Sequence, residues 1–454
     1  MQRGIFWQLG LGRLMMSNYS LYRSSIFHCI ENANTLEADY YEDGLMVIQY
    51  GKIVELGHYA QLIDQFSVDV RVTHFKDSLI IPGFVDSHLH YPQYRIIASY
   101  GATLLDWLNK YTFVEEQKFN DSHYAEEIAE LFLDELIKNG TTTAMTFCTS
   151  HSQSAEAFFS AAHNRNLRMV AGKVMMDRNA PAELCDDVNS SYVDSKALIE
   201  KWHNKNRLSY AITPRFAPTS TPEQLAQAGK LLAEYPNSQN TKGVLLQTHM
   251  NEASDEIAWV QELYPQSKHY FDVYDSYRLA GPNSVFGHCI HNTQDEYQRM
   301  AETDSKVALC PTSNLFLGSG LFDLDQLDYY GITTSLASDV GGGDSFSMFS
   351  VMNEAYKICK LNGSNLDPVR AFYLTTLAGA KVLNMDDCIG NFEPKKEADF
   401  VVLDLNANEL IKQRLKSTTN IDELLFCLMT LGDDRLISQV YILGQCAYQK
   451  MEAH

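Results

Sequence analysis

Two histidines one residue apart, His88 and His90, end the run Pro82-Gly83-Phe84-Val85-Asp86-Ser87-His88-Leu89-His90. The apolar lead-in Leu79-Ile80-Ile81 makes this a buried strand. Side chains alternate faces along a strand, so both imidazoles point the same way. Two imidazoles on one face, at a strand's C-terminal end, suit a divalent transition metal. A His-x-His pair alone does not define a site, so the rest of the chain must supply further ligands. It does so in order. The apolar run Gly243-Val244-Leu245-Leu246-Gln247 leads to Thr248-His249-Met250-Asn251-Glu252. Val285-Phe286-Gly287 ends in His288, and Thr333-Thr334-Ser335-Leu336-Ala337-Ser338 ends in Asp339. An aspartate closing an apolar strand is costly to bury without a partner, and a metal is one such partner. The glycines that follow, Gly341-Gly342-Gly343, let the backbone pass close to a ligand. Glu252, three residues past His249, either reaches back toward the same centre or starts a helix.

These residues need a frame that brings strand ends together. Strand candidates end near His90, Phe147, Met176, Arg215, His249, His288, Cys310 and Asp339, with helical patterns between them at 122–139, 223–234 and 255–262. Eight strands interleaved with helices over about 300 residues fit an α/β architecture, a (β/α)₈ TIM-type barrel with insertions. Such barrels carry their sites at the C-terminal strand ends, where the histidines fall. The barrel is expected over 79–388. The flanks, 19–78 and 389–454, are strand-rich: 44–50 and 53–56 read as a hairpin around Gly51-Lys52, and 398–404 and 439–443 read as strands. They are expected to meet as one small β-sandwich domain. Residues 1–18 read as a disordered leader, or as preceding a true start at Met15 or Met16.

Composition narrows the class. The chain has 454 residues, 45% hydrophobic and 20% charged, which suits a soluble protein with a large core. Its net charge of −21 repels nucleic acid phosphates and anionic membranes, so neither a nucleic acid polymer nor a membrane is an expected partner. A neutral nucleobase is not excluded by that charge. Nine scattered cysteines with no Cys-x-x-Cys pair argue for a reducing cytoplasm. No apolar stretch reaches the roughly 18–20 residues that span a bilayer.

The set His88, His90, His249, His288 and Asp339 resembles that of the amidohydrolase superfamily, whose mononuclear deaminases take ligands from strands one, five, six and eight. Binuclear members carry a carboxylated lysine at the end of strand four. This chain has Thr213-Pro214-Arg215-Phe216 there, and Lys173 falls on strand three, where it reads as structural. One metal is therefore expected. Further segments are similar to the guanine deaminase family: His88-Leu89-His90-Tyr91-Pro92-Gln93-Tyr94, Leu104-Leu105-Asp106-Trp107-Leu108-Asn109-Lys110-Tyr111-Thr112-Phe113, Cys310-Pro311-Thr312-Ser313-Asn314-Leu315 and Ser338-Asp339-Val340-Gly341-Gly342-Gly343. Val114, Thr312 and Asp344 depart from the family pattern, and Asp344 is expected near the pocket, with consequences for substrate preference.

The resemblance implies hydrolysis of guanine to xanthine and ammonia in purine catabolism. His88, His90, His249 and Asp339 would hold one zinc ion, or iron, which lowers the pKa of water to about 7 and supplies hydroxide. Asp339 would also accept a proton, Glu252 would shuttle it to the leaving ammonia, and His288 would orient the nucleophile. Gln93 and Arg215 would bind the polar edge of guanine, between Phe216 and Trp107. A cytoplasmic homodimer is implied as well. Two alternatives use the same residues. One is deamination of another aminated heterocycle, such as another aminopurine, a pterin or a triazine. The other is a non-catalytic scaffold, which should lack the ligands.

Overall fold

The computed structural model describes residues 19–32, 35–66, 70–101, 103–239 and 241–451; the expected leader lies outside the described residues. The strands in chain order are β1 (Tyr19–Asn32), β2 (Thr35–Gln49), β3 (Lys52–His58), β4 (Val72–Pro82), β5 (Phe84–His90), β6 (Thr141–Phe147), β7 (Arg168–Gly172), β8 (Val174–Met175), β9 (Ser209–Pro214), β10 (Leu245–Met250), β11 (Ser284–His288), β12 (Lys306–Leu309), β13 (Thr334–Leu336), β14 (Phe400–Asp404), β15 (Ile437–Ile442) and β16 (Gln445–Gln449).

Eight parallel strands make a nearly closed barrel in the order β5-β6-β7-β9-β10-β11-β12-β13, with short β8 paired to β9. Every residue of β5, β6, β9, β10 and β11 is buried, because helices cover the outside and side chains fill the inside. Val85, Met145, Val170, Ala211, Leu245, Val285 and Ala308 pack together with Ala380, Leu383 and Ile389 in one cluster. The seam between β5 and β13 is joined beyond the ladder. Asp339 N–H donates to the His88 carbonyl at 2.9 Å, and His90 N–H to the Val340 carbonyl at 3.1 Å. The expected strand ends agree with these elements to within a few residues, except that the eighth strand stops at Leu336 and Asp339 follows it in a turn.

The helices follow their local signals. Ser122–Lys138 is capped by Asp121, whose side chain accepts the His123 N–H, and it buries Ala125, Ile128, Ala129, Phe132, Leu133, Leu136 and Ile137 along one face. Pro222–Glu234 begins with a proline in its first turn and a Thr221 side chain that accepts the Gln224 N–H.

The chain ends form a seven-stranded mixed sheet, β16-β15-β14-β4-β1-β2-β3, in which only β1 and β4 run parallel. The sheet is continuous through its hydrogen bonds, where the sequence suggests a sandwich. Tyr22, Ile26, Met46, Ile48, Ile80, Phe400, Val402 and Tyr441 pack in one cluster on it. Two details differ from expectation. The run Leu79-Ile80-Ile81 does not enter the barrel but closes β4, where Ile80 pairs with Val402 and Pro82 with Phe400. Gly83 marks the crossing between sheet and barrel. A Cβ there would stand 2.0 Å from Thr142 Oγ1, so only glycine fits. Two buried strands joined this closely read as one apolar run. The hairpin turn is Tyr50-Gly51, both at positive φ (53° and 75°), one residue earlier than the sequence suggests.

Candidate active site

The ends of β5, β10 and β11 and the turn after β13 bring His88, His90, His249, His288 and Asp339 to one place. One ligand atom from each of His88, His90, His249 and Asp339 lies within 4.8 Å of the others. His90 Nε2 is 3.1 Å from His249 Nε2 and 3.2 Å from Asp339 Oδ1, and His88 Nε2 is 3.5 Å from the same oxygen. His88 Nε2, His288 Nε2 and Asp339 Oδ1 are buried with no hydrogen-bond partner. Buried polar atoms are almost always satisfied, so converging orphans of this kind call for an ion. Three imidazole nitrogens and a carboxylate oxygen are a donor set that suits zinc or iron.

The surrounding bonds aim these ligands. His249 Nδ1–H donates to the Arg215 carbonyl at 2.7 Å, which fixes the tautomer and leaves Nε2 as an electron-pair donor toward the centre. His288 Nδ1 does the same with Asn314 Oδ1 at 2.9 Å. Burial pushes His88 and His249 well below the ordinary histidine range, and the neighbouring imidazoles add to it. Neutral imidazole is the form that binds metal. Burial alone would raise the Asp339 carboxyl, but His90 Nε2 close beside it and the other histidines around it hold it below its ordinary range. Asp86 accepts from the Ser338 N–H at 3.1 Å and from its hydroxyl, which ties the strand carrying His88 to the turn carrying Asp339. The backbone is strained at the same place: His288 (φ 70°), Asp339 (φ 49°) and Asn251 (φ 51°) are left-handed without being glycine. Gly287 lets the His88 ring lie against β11; a Cβ there would stand 2.4 Å from His88 Cε1.

A pocket with about 380 Å³ of empty space, its open mouth included, opens directly onto this cluster. Of the residues expected to bind substrate, Gln93, Arg215, Phe216 and Trp107 all line it, beside His90, His249, Glu252 and Asp339. His288 lies next to it, its Nε2 3.5 Å from Glu252 Oε2 and 3.6 Å from Asp339 Oδ2. Burial raises the Glu252 carboxyl well above its ordinary range, with the charges of Asp339 and Glu256 adding to the shift. Lys173 is buried in an ion pair with Asp186, as a structural lysine should be.

Asp344 is a correction. It is exposed and lines a separate depression with Thr312, Leu315, Phe316 and Glu354, because the Gly341-Gly342-Gly343 turn carries the chain past the site. It is therefore not among the residues that line the pocket. Other residues escape the sequence reading. Glu116 is buried and bonds both Arg215 and Gln93. Phe147 holds its ring 4.6–5.0 Å from those of His88, His90 and His249. Leu104, Leu108 and Leu317 complete the apolar wall. Phe147 ends its strand at the same level as His90 (they are register partners), a signal that a strand alignment could have used. Glu116 lies in Glu115-Glu116, which reads as an ordinary acidic first turn.

The barrel, the end sheet and the converging histidines define the amidohydrolase family, and the chain belongs to it: the family's profile matches residues 79–446. Guanine deaminase of Escherichia coli (strain K12) is 49% identical over 409 residues, covering 90% of this chain and 92% of that protein. The solved structure of E. coli guanine deaminase is similar at a TM-score of 0.91 and 47% identity, over 95% of this chain and all (100%) of that one. Guanine deaminase from C. acetobutylicum, solved with guanine bound in its active site, is similar at a TM-score of 0.85 and 30% identity, over 95% of this chain and 100% of that one.

Proposed function

We propose that this chain hydrolyses guanine to xanthine and ammonia with one bound metal ion, zinc or iron, held by His88, His90, His249 and Asp339. The observation that carries the reading is that this buried cluster faces a pocket whose polar side is Arg215 and Gln93. The similarity to guanine deaminases over nine-tenths of the chain supports it. A homodimer in the cytoplasm belongs to the same reading and rests on the family resemblance.

When bound, the ion lowers the pKa of a water molecule to about 7, making a nucleophile available at neutral pH. The protein does the rest. Phe216, Trp107, Leu104, Leu108 and Leu317 offer apolar surface to a flat ring, and Arg215 and Gln93 orient it with C2 toward the histidines. Oxygen from water bonds to C2, and the bond from C2 to the amino nitrogen breaks. Asp339, kept ionised, accepts a proton from the water. Glu252 gives its proton to a ring nitrogen, takes up the remaining hydroxyl proton as the carbonyl forms, and passes it to the amino group, which leaves as ammonia because amide ion cannot leave unprotonated. The proton held by Asp339 then returns to Glu252, so that the two water protons replace the one placed on the ring and the one carried off in ammonia. A carboxyl raised by burial is suited to donating that proton. His288 orients the nucleophile from beside Glu252.

Ammonia release from a panel of aminated heterocycles tests the substrate. Guanine should be fastest, with adenine, cytosine, pterin and triazine substrates far slower. Equal or faster release from any of these would replace guanine as the substrate.

A further inference from the structure

Glu116 lies outside the cluster and is not among the residues that line the pocket, yet it binds both polar groups of the pocket wall. Its Oε2 is 2.7 Å and its Oε1 2.9 Å from Arg215 Nη1, and Oε1 also accepts from Gln93 Nε2 at 3.1 Å. All three side chains are buried. Two consequences follow from donor and acceptor chemistry alone. A carboxylate only accepts, so it fixes the Gln93 amide with its nitrogen toward Glu116. Gln93 Oε1 then remains an unpaired, buried acceptor in a pocket-lining residue. Arg215 is held through one nitrogen, Nη1, and its other N–H groups make no hydrogen bond within the protein among the described residues. Phe113 stacks on the same guanidinium, 5.5 Å from ring centroid to Cζ, and further limits its movement.

Resting on the guanine reading above, we infer that Glu116 is a positioning residue that sets substrate specificity: it presents Arg215 as donor and Gln93 as acceptor in one fixed arrangement. That arrangement complements the carbonyl oxygen at C6 and the adjacent ring N–H of guanine. It mismatches a purine lacking the C6 oxygen. Glu116 also neutralises a guanidinium buried beside histidines that must stay neutral. Without it, Arg215 is free to swing and Gln93 free to flip, and one amide flip replaces an acceptor by a donor.

The test compares guanine with 2-aminopurine, which keeps the amino group at C2 but has hydrogen at C6. Glu116→Gln should retain metal content and lower kcat/KM for guanine by about 10²-fold, the scale of a misplaced binding group. The inhibition constant of 2-aminopurine against guanine should move less than threefold, because 2-aminopurine has no C6 oxygen for Arg215 to hold. Glu116→Asp keeps the charge and should recover part of the loss; if Glu116→Gln does not fold, this variant carries the same comparison. A role confined to structure would weaken guanine turnover and 2-aminopurine binding together, or alter metal content. Either of these outcomes, or guanine turnover within threefold of wild type, overturns the inference and leaves the guanine reading standing. A wild-type protein that releases no ammonia from guanine overturns both.

Discussion

Changing Glu252 to glutamine should leave the metal in place and slow guanine turnover by about 10²–10⁴-fold, the usual contribution of a general acid–base group. Glutamine keeps the shape and the buried polar contacts but can neither take up nor release the proton that ammonia requires. The geometry separates this role from metal binding. Glu252 Oε2 is near His288 Nε2 at 3.5 Å, but among the described residues Glu252 belongs to neither of the two sets of converging donors, His88, His90, His249 and Asp339 or His88, His288, Cys310 and Asp339. Its backbone N–H donates to Glu256 Oε2 at 3.0 Å, which anchors the residue independently of its side chain. Metal analysis and steady-state kinetics on one preparation decide the matter. Loss of metal together with activity would make Glu252 a ligand or a structural group, and near-normal turnover would remove it from the mechanism.

Arg215→Met should have the largest effect on recognition. A guanidinium is a rigid fork of donors that accepts nothing, so it suits the C6 carbonyl of guanine and leaves an amino group at that position unpaired. A site built around such a bond rejects analogues lacking it by roughly 10⁴–10⁵. Methionine removes the bond but keeps the bulk, so kcat/KM for guanine should fall toward that limit with metal content unchanged. The change also strands Glu116, and breaking one side of a buried ion pair costs roughly 3–5 kcal/mol of stability. Combining it with Glu116→Gln removes both charges, so a thermal melt of the double variant separates recognition from folding. A loss of less than tenfold on guanine would show that Arg215 does not read the carbonyl.

The barrel and the metal-ligand candidates were legible because chemistry and periodicity coincide in them. A histidine ending an apolar strand stands out, and four ligand-bearing ends in barrel order, three with histidine and one with aspartate, leave few other arrangements. His88, His90, His249, His288 and Asp339 meet as that order requires. The pocket edge was legible only through family resemblance: nothing in the pattern around Gln93 or Trp107 marks them as pocket residues. What stayed hidden is what depends on packing across the fold. Glu116 is about a hundred residues from Arg215 in sequence (|i−j| = 99) and gains its meaning only when the barrel closes. Asp344 misled for the opposite reason: closeness to Asp339 in sequence was read as closeness in space, and three glycines undo it. The apolar run through Ile81 spans two sheets because strand periodicity carries no mark of where one sheet ends and another begins.

The most direct test of the account is a metal titration of chelator-treated protein followed by ammonia release from guanine. The chelated protein should be folded and inactive, and activity should rise in proportion to added zinc or iron and level off near one equivalent per chain. His249→Ala should show neither tight binding nor recovery under the same titration. Full guanine turnover by protein shown to hold no metal, or a plateau at two equivalents, would contradict a single ion held by His88, His90, His249 and Asp339.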